Sequence, residues 1–121
     1  MTSKIRNYRD LLVWQRAMQF TLSVYKATAN FPRDEIYGLT AQVRRAAVSV
    51  PSNIAEGQGR IGDKSFRVFL SHARGSLYEA QTQIELARGL EYLSHEIAES
   101  LLADSVEVAR MLNGLLRVLD Q

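Results

Sequence analysis

The sequence predicts an all-α protein, folded as an antiparallel up-down four-helix bundle in one domain of residues 1–121. Three observations favour this fold. Four long segments repeat apolar residues at steps of three and four, the spacing of one helix face. Two prolines and seven glycines are too few for a turn-rich β fold of this length. The links between the segments are short, so consecutive helices are expected to run antiparallel.

The first helix is predicted over about residues 10–29 and ends before Pro32, because the residue preceding a proline avoids helical geometry. One stripe of this helix is assigned to the core: Trp14, Ala17, Met18, Thr21, Leu22, Tyr25 and Thr28. A second apolar stripe lies elsewhere on the same helix. A contiguous outer apolar surface usually marks an interface. An oligomer interface is therefore predicted at Val13, Phe20 and Val24 of this helix, together with Val48 of the second helix. The alternative is that a wide apolar face is ordinary in a bundle helix.

The second helix is predicted over about residues 34–56, where Asp34 and Glu35 suit the positive N-terminus of a helix. Pro51 falls inside its apolar pattern. A proline cannot donate a backbone hydrogen bond to the carbonyl four residues earlier, and its ring crowds that carbonyl. The apolar stripe continues in phase to Ile54, so a kink at Pro51 is predicted rather than an end.

The third helix, over about residues 63–92, has the most regular pattern of the chain. Its apolar positions alternate steps of four and three, which is a heptad seam: Phe66, Leu70, Ala73, Leu77, Ala80, Ile84 and Ala87. The fourth helix is predicted over residues 95–119, with Ser94 as its N-cap.

Composition and motifs argue against most chemistry. Without cysteine the chain has no disulfide, cysteine-ligated metal or thiol nucleophile. The run Gly57–Gly62 matches GxGxxG, but a dinucleotide site needs a strand before it, and here a helix precedes it. His72 and Ser76 could touch, yet nothing supplies the rest of a catalytic triad. We therefore predict no catalytic, cofactor-binding or metal-binding residue. The polar first ten residues and the absence of a long apolar run favour a cytoplasmic protein without a membrane partner.

Charge is unevenly distributed along the chain. Residues 1–75 contain twelve Lys/Arg and five Asp/Glu, whereas residues 76–121 contain three and eight. One interpretation is a basic surface that binds the backbone of RNA or DNA without sequence preference. Its candidate residues are Arg16, Arg44, Arg45, Arg60, Lys64, Arg67 and Arg74. The other interpretation is a structural or adaptor protein that binds another protein, with its arginines in ion pairs within or between subunits.

The middle of the chain resembles a known family. The residues that carry the resemblance are YGLT at 37–40, RRAAVSVPSNIAEG at 44–57, and Gly59-Arg60. Phe66, Phe69-Leu70 and Glu79 continue it on the third helix, and Trp14-Gln15 on the first. Over residues 8–92 this pattern is similar to the bacterial four-helix-bundle family of 23S rRNA intervening-sequence proteins.

The resemblance implies an architecture and possible partners, and no catalytic residues. Relatives in this family assemble as ring-like homopentamers, so a homopentamer is expected here. A related group, the accessory proteins of diversity-generating retroelements, binds nucleic acid and a reverse transcriptase through a basic pentameric barrel. The implied partners are thus further copies of the chain, RNA or DNA, and a partner protein such as a reverse transcriptase.

Overall fold

The computed structural model describes residues 7–120 as four long helices with short connections. They are α1 (Leu12–Thr28), α2 (Leu39–Gln58), α3 (Asp63–Gly89) and α4 (His95–Leu119). Two 3₁₀ turns, Tyr8–Asp10 and Arg33–Glu35, precede α1 and α2. These described residues contain no strand. The prediction of an all-α four-helix protein is confirmed.

The helices form a ring in chain order, because each packs against the next and α4 packs against α1. Contacts between neighbours show the direction of packing. Thr21 meets Ala47, and Arg44 meets Thr28, so α1 and α2 run antiparallel. On α3 and α4, Arg74 meets Asn113 and Arg88 meets Glu99, in the same antiparallel sense. The bundle is therefore up-down.

The helix α2 begins at Leu39, five residues later than predicted from Asp34. Asp34 and Glu35 lie instead in the 3₁₀ turn. The Glu35 carboxylate still acts on the helix start, because its Oε1 accepts a hydrogen bond from the Leu39 amide at 2.9 Å. Its Oε2 accepts one from the Tyr92 hydroxyl at 2.9 Å, which ties the α1–α2 connection to the α3–α4 connection.

These two hydrogen bonds stabilise the ionised Glu35 carboxylate. The bond from the Leu39 amide, and then that from Tyr92, lower the pKa of Glu35. The same carboxylate raises the pKa of Tyr92, because it accepts the proton that ionisation would remove. The tie between the two connections is therefore strongest when Glu35 is charged and Tyr92 is neutral.

Pro51 lies inside α2, and the helix continues through it. The carbonyl that Pro51 cannot bond belongs to Ala47. Thr21 on α1 offers a substitute donor, because its buried Oγ1 lies 3.0 Å from the Ala47 oxygen; it also lies 2.8 Å from the Ala17 oxygen of its own helix, so its single proton is shared between the two carbonyls. A kink at Pro51 stays a prediction.

The core face of α1 differs from the predicted one. The predicted outer stripe, Val13, Phe20 and Val24, is buried inside the bundle, with at most 3% exposure. Of the predicted core stripe, Ala17, Thr21 and Thr28 are buried as predicted, whereas Leu22 and Tyr25 are 58% and 41% exposed. Val13, Phe20 and Val24 therefore cannot line an oligomer interface, and that prediction is wrong for these three residues.

Small residues let α2 and α3 approach closely. A Cβ atom added to Gly57 would lie 2.6 Å from the Cβ of Phe69. Nearer the middle of the helices, Ser76 Oγ donates to Ser49 Oγ at 2.9 Å. The heptad seam of α3 is confirmed from Leu70 to Ala87, since each of those positions is buried.

Candidate nucleic-acid and assembly surfaces

The antiparallel topology separates the charges along the bundle. We call residues 7–19, 49–75 and 108–120 the basic end; it holds the α2–α3 turn and has eight Lys/Arg against four Asp/Glu. Residues 20–48 and 76–107 form the acidic end, with five Lys/Arg against nine Asp/Glu. The net charges are thus +4 and −4. The cations of the basic end are Arg9, Arg16, Arg60, Lys64, Arg67, Arg74, Arg110 and Arg117.

Five of the seven predicted nucleic-acid-binding residues lie at the basic end: Arg16, Arg60, Lys64, Arg67 and Arg74. The other two, Arg44 and Arg45, lie in the first part of α2, at the acidic end. The fold therefore does not bring all seven onto one surface. Sequence position alone could not show this, because it depends on the direction of each helix.

The Arg44 side chain binds the C-terminal end of α1. Its Nε donates to Thr28 Oγ1 at 2.8 Å, and an Nη2 hydrogen donates to the Tyr25 carbonyl at 3.2 Å. The guanidinium also lies 4.5 Å from the centre of the Tyr25 ring. A cation at these last carbonyls complements the negative end of the helix dipole. Arg44 is therefore a positioning residue of the α1–α2 pair.

Two further predicted residues belong to a polar ladder between α3 and α4. Its α3 members recur every seven residues: Arg67 contacts Asp120, Arg74 donates to Asn113, Gln81 donates to Ser105, and Arg88 donates to Glu99. Arg88 also pairs with Glu85, and the hydrogen bond to Glu99, then that to Glu85, raises the pKa of Arg88. The ladder sets the register of the two helices. The ion pairs of this ladder with Glu85 and Glu99 are made by Arg88.

The remaining predicted cations differ in whether they have a partner within the chain. Arg60 Nη2 donates to Glu56 at 2.7 Å, and its guanidinium stacks 5.0 Å from the centre of the Phe69 ring. Within residues 7–120, Arg16, Arg45 and Lys64 are exposed and have no hydrogen-bonding or ion-pairing partner.

An apolar groove, the α1–α2 groove, runs along the outside of these two helices. It encloses about 340 Å³ and is lined mainly by apolar side chains: Tyr8, Trp14, Met18, Thr21, Val48, Pro51, Ser52 and Ala55. Leu22 and Tyr25 continue the stripe of Trp14 and Met18 along α1. Val48, the fourth predicted interface residue, is 39% exposed in this groove. The first helix thus carries surplus apolar surface, as its sequence indicates, but the exposed stripe is that of Leu22 and Tyr25 and not that of Phe20 and Val24.

Opposite faces of the acidic end differ in charge. On the α1–α2 side, residues 20–48 contain four Lys/Arg and two Asp/Glu. On the α3–α4 side, residues 76–107 contain one Lys/Arg and seven Asp/Glu. Since the helices follow one another round the bundle, these two sides face in opposite directions. At its acidic end, one bundle thus presents a basic side and an acidic side.

The Ser76–His72 pair and the GxGxxG run make structural contacts. Ser76 donates its hydroxyl proton to Ser49, and His72 packs edge-on against Phe69 at 6.0 Å between ring centres. The GxGxxG run ends α2 and turns the chain into α3, with Gly62 at a φ of 95°. Among residues 7–120 there is no cluster of three or more acidic or histidine side chains that could hold a metal ion. None of the helices in this range is long and apolar enough to span a membrane.

The molecule is, by class, a helical-bundle protein with a basic end and an exposed apolar groove. Residues 9–114 match the family model of the 23S rRNA-intervening sequence protein, and the chain belongs to that family. The family prediction is confirmed.

The fold is also similar to a solved structure. That structure is a protein of unknown function from the S23 ribosomal protein family of Bacteroides thetaiotaomicron. It superposes with a TM-score of 0.79 and 24% identity, covering 87% of this chain and 98% of that chain. At this identity the likeness shows a common fold alone. No curated protein matches the chain.

Proposed function

We propose that this protein is a non-catalytic homo-oligomer, a ring of five copies, that binds the backbone of RNA or DNA at its basic ends. The observation that carries the proposal is the separation of charge along the bundle, +4 at one end and −4 at the other. A local excess of Lys and Arg attracts phosphate groups and releases their counterions. Contacts to phosphate groups carry no sequence information, so the binding should be independent of base sequence.

Self-association follows from the α1–α2 groove and the faces beside it. The groove exposes large apolar side chains to water, which is unfavourable unless a partner covers them. The occupant we propose is the α3–α4 side of a second copy. That side carries seven acidic residues at the acidic end and exposes several apolar side chains: Val68, Tyr78, Leu86 and Val106. It is therefore complementary to the α1–α2 side, in apolarity to the groove and in charge to the cations of residues 20–48.

Such a contact joins two different faces of the chain. A heterologous contact repeats from copy to copy and closes into a ring when the rotation permits. The five-membered ring is the assembly that the family resemblance implies. The groove is lined mostly by residues of the basic end, so the contact covers one side of that end and leaves its tip, the α2–α3 turn with Arg60 and Lys64, free. Repetition round the ring would then gather the basic ends on one rim, which raises the local concentration of positive charge.

The experiment is a titration of fluorescently labelled, random-sequence single-stranded RNA and DNA at several salt concentrations. We expect the logarithm of the affinity to fall linearly with the logarithm of the salt concentration. Lys64→Glu reverses an exposed cation at the basic end and should lower both the affinity and the salt slope. Lys26→Glu is the matched control, because Lys26 is an exposed lysine of the acidic end that lies beside α4 and does not line the α1–α2 groove. Absence of binding at low salt, or equal loss in both variants, would contradict the proposal.

The competing function is a structural or adaptor protein that binds another protein, such as a reverse transcriptase. One observation favours it: Arg60, Arg67 and Arg88 are paired with carboxylates of the same chain. The titration described above distinguishes the two functions. An adaptor whose arginines serve internal pairs would leave the labelled RNA and DNA unbound at every salt concentration.

A further inference from the structure

We propose that Ile61, at the tip of the α2–α3 turn, is an apolar wedge that enters a nucleic-acid duplex where the stacking of the bases is already broken, as at a bulged nucleotide. The inference rests on the proposed function, because it names the kind of nucleic acid that the basic end prefers. A bulge is a structural feature of a duplex, so this preference is compatible with binding that is independent of base sequence.

The Ile61 side chain is the most exposed large apolar group among residues 7–120. It is 97% exposed, and only Tyr37, at 93%, comes near this value. Tyr37 carries a hydroxyl group, whereas Ile61 presents only hydrocarbon to water. Single apolar residues at a protein surface are common, but Val118, the next most exposed one here, still has a third of its surface covered by the fold. The packing of the bundle thus makes no use of the Ile61 side chain.

The backbone of the turn directs Ile61 away from the helices. The residue after it, Gly62, has a φ of 95°, a conformation that residues with a Cβ atom rarely adopt. A Cβ atom added to Gly62 would meet no atom within 4 Å. Glycine is therefore needed here for the direction of the chain and not for close packing, and the turn beside Ile61 is surrounded by solvent.

Contacts on both sides of Ile61 hold the turn in place. Before it, the Arg60 guanidinium lies 5.0 Å from the centre of the Phe69 ring on α3. After it, the Gly62 carbonyl accepts a hydrogen bond from the Phe66 amide at 3.3 Å. A group that is held in position before binding loses less conformational entropy when it binds.

Cations lie on both sides of this apolar tip. Arg60 precedes Ile61, and Lys64, in the first turn of α3, is exposed without a hydrogen-bonding or ion-pairing partner in the described part of the chain. The acidic neighbours are Glu56, which pairs with Arg60, and Asp63. The whole basic end has a net charge of +4. Its cations can contact phosphate groups while the isoleucine enters the base step between them.

The chemistry of the side chain favours a step that is already open. Isoleucine is among the apolar residues that proteins insert between neighbouring bases, which partly unstacks them. Unstacking a step of a perfect duplex is unfavourable, and the cost is smallest where pairing or stacking is already disturbed. We therefore expect a bulged duplex to bind more tightly than a perfect duplex of the same sequence.

The test compares two fluorescently labelled duplexes, one perfect and one with a bulged adenine, each made as DNA and as RNA. The full chain should bind the bulged duplex at least about fivefold more tightly in one of the two chemistries, which identifies the nucleic acid. The base beside the bulge is replaced by 2-aminopurine, whose fluorescence rises when it is unstacked. Its fluorescence should therefore increase when the protein binds.

A pair of isoleucine variants assigns the effect to the tip. Ile61→Ser should lose both the preference and the rise in fluorescence, and should keep its affinity for the perfect duplex within about twofold, because the cations are unchanged. Ile36→Ser is the matched control, because Ile36 is an exposed isoleucine in the α1–α2 connection, at the acidic end of the bundle. It should behave like the parent. Circular dichroism checks that both variants are folded.

Equal binding of the two duplexes by the parent, or an unchanged preference in Ile61→Ser, overturns the inference and leaves the proposed function standing. Binding of neither duplex at low salt also overturns it, and the titration of single strands then decides the proposed function separately. A third result against it is binding to vesicles of phosphatidylserine and phosphatidylcholine that requires Ile61, without any preference for the bulge. That result would assign the tip to a membrane surface.

Discussion

The close approach of α2 and α3 at Gly57 makes a quantitative prediction about stability. In Gly57→Ala the new Cβ would lie 2.6 Å from Phe69 Cβ and 3.1 Å from Phe66 Cδ1. Carbon atoms pack best at about 3.5–4.0 Å, so the two helices must separate locally by about 1 Å. The nearer obstacle cannot rotate away, because Phe69 Cβ is fixed to its backbone.

Overpacking of this kind is unfavourable by about 1–3 kcal/mol. Alanine in place of glycine favours a helix by up to about 1 kcal/mol, and this gain is reduced here because Gly57 is one residue from the end of α2. The net expectation is a loss of about 1–2 kcal/mol in the free energy of unfolding.

Gly75→Ala is the matched control within α3. Nothing lies within 4 Å of a Cβ added at Gly75, so only the helix preference remains, and the variant should gain up to about 1 kcal/mol. Urea unfolding followed by circular dichroism, at one protein concentration, measures both variants against the parent. If Gly57→Ala proved as stable as Gly75→Ala, the close α2–α3 contact would be refuted.

Two other contacts make predictions. Glu35→Gln should destabilise the protein above the ordinary glutamate pKa of 4.5, because the lowered pKa of Glu35 contributes stability there. This difference should disappear as acid protonates Glu35, which a series of urea unfolding curves across pH will show. Thr21→Val removes a buried hydroxyl that the Ala17 and Ala47 carbonyls share, so thermal unfolding should reveal a loss of about 1–3 kcal/mol.

Each of these two variants has a matched control variant elsewhere in the bundle. Glu91→Gln alters an exposed carboxylate next to Tyr92, and its effect should not follow the pH profile of Glu35→Gln. Thr82→Val removes an exposed hydroxyl that bonds only within its own helix, so it should change stability by less than about 0.5 kcal/mol. Equal effects in Thr21→Val and Thr82→Val would contradict the role assigned to Thr21.

The regular pattern of α3 made it the most predictable helix. Its heptad seam is unbroken from Phe66 to Ala87, and the helix begins at Asp63 as predicted. The start of α2 could not be predicted in the same way. Asp34 and Glu35 have the composition of a first helical turn, yet Glu35 caps the helix from four residues before Leu39, with Tyr92 holding its other oxygen.

The core face of α1 shows a second limit of the sequence. Two apolar stripes are adjacent on this helix, and periodicity does not say which one the neighbours cover. The stripe that remains partly exposed includes Trp14 and Tyr25, whose polar atoms favour positions within reach of water. The buried stripe carries Phe20 and Val24, which have no such atoms.

The residue types of the candidate surfaces could be predicted from the sequence, but the positions of these residues on the fold could not. The sequence shows an excess of arginine. The fold divides these arginines among the basic end, the polar ladder between α3 and α4, and the C-terminal end of α1. Arg44 reaches Thr28, sixteen residues away, only because of the register between α1 and α2. No local pattern encodes that register.

The most direct test of the account is the mass of the chain in solution. Sedimentation velocity over a wide concentration range should show a discrete particle several times the 13.7 kDa of one chain. Leu22→Glu should dissociate it, whereas Ile61→Glu, at a fully exposed position of the α2–α3 turn, should not. A parent protein that sediments as a 13.7 kDa particle at every concentration would contradict the account.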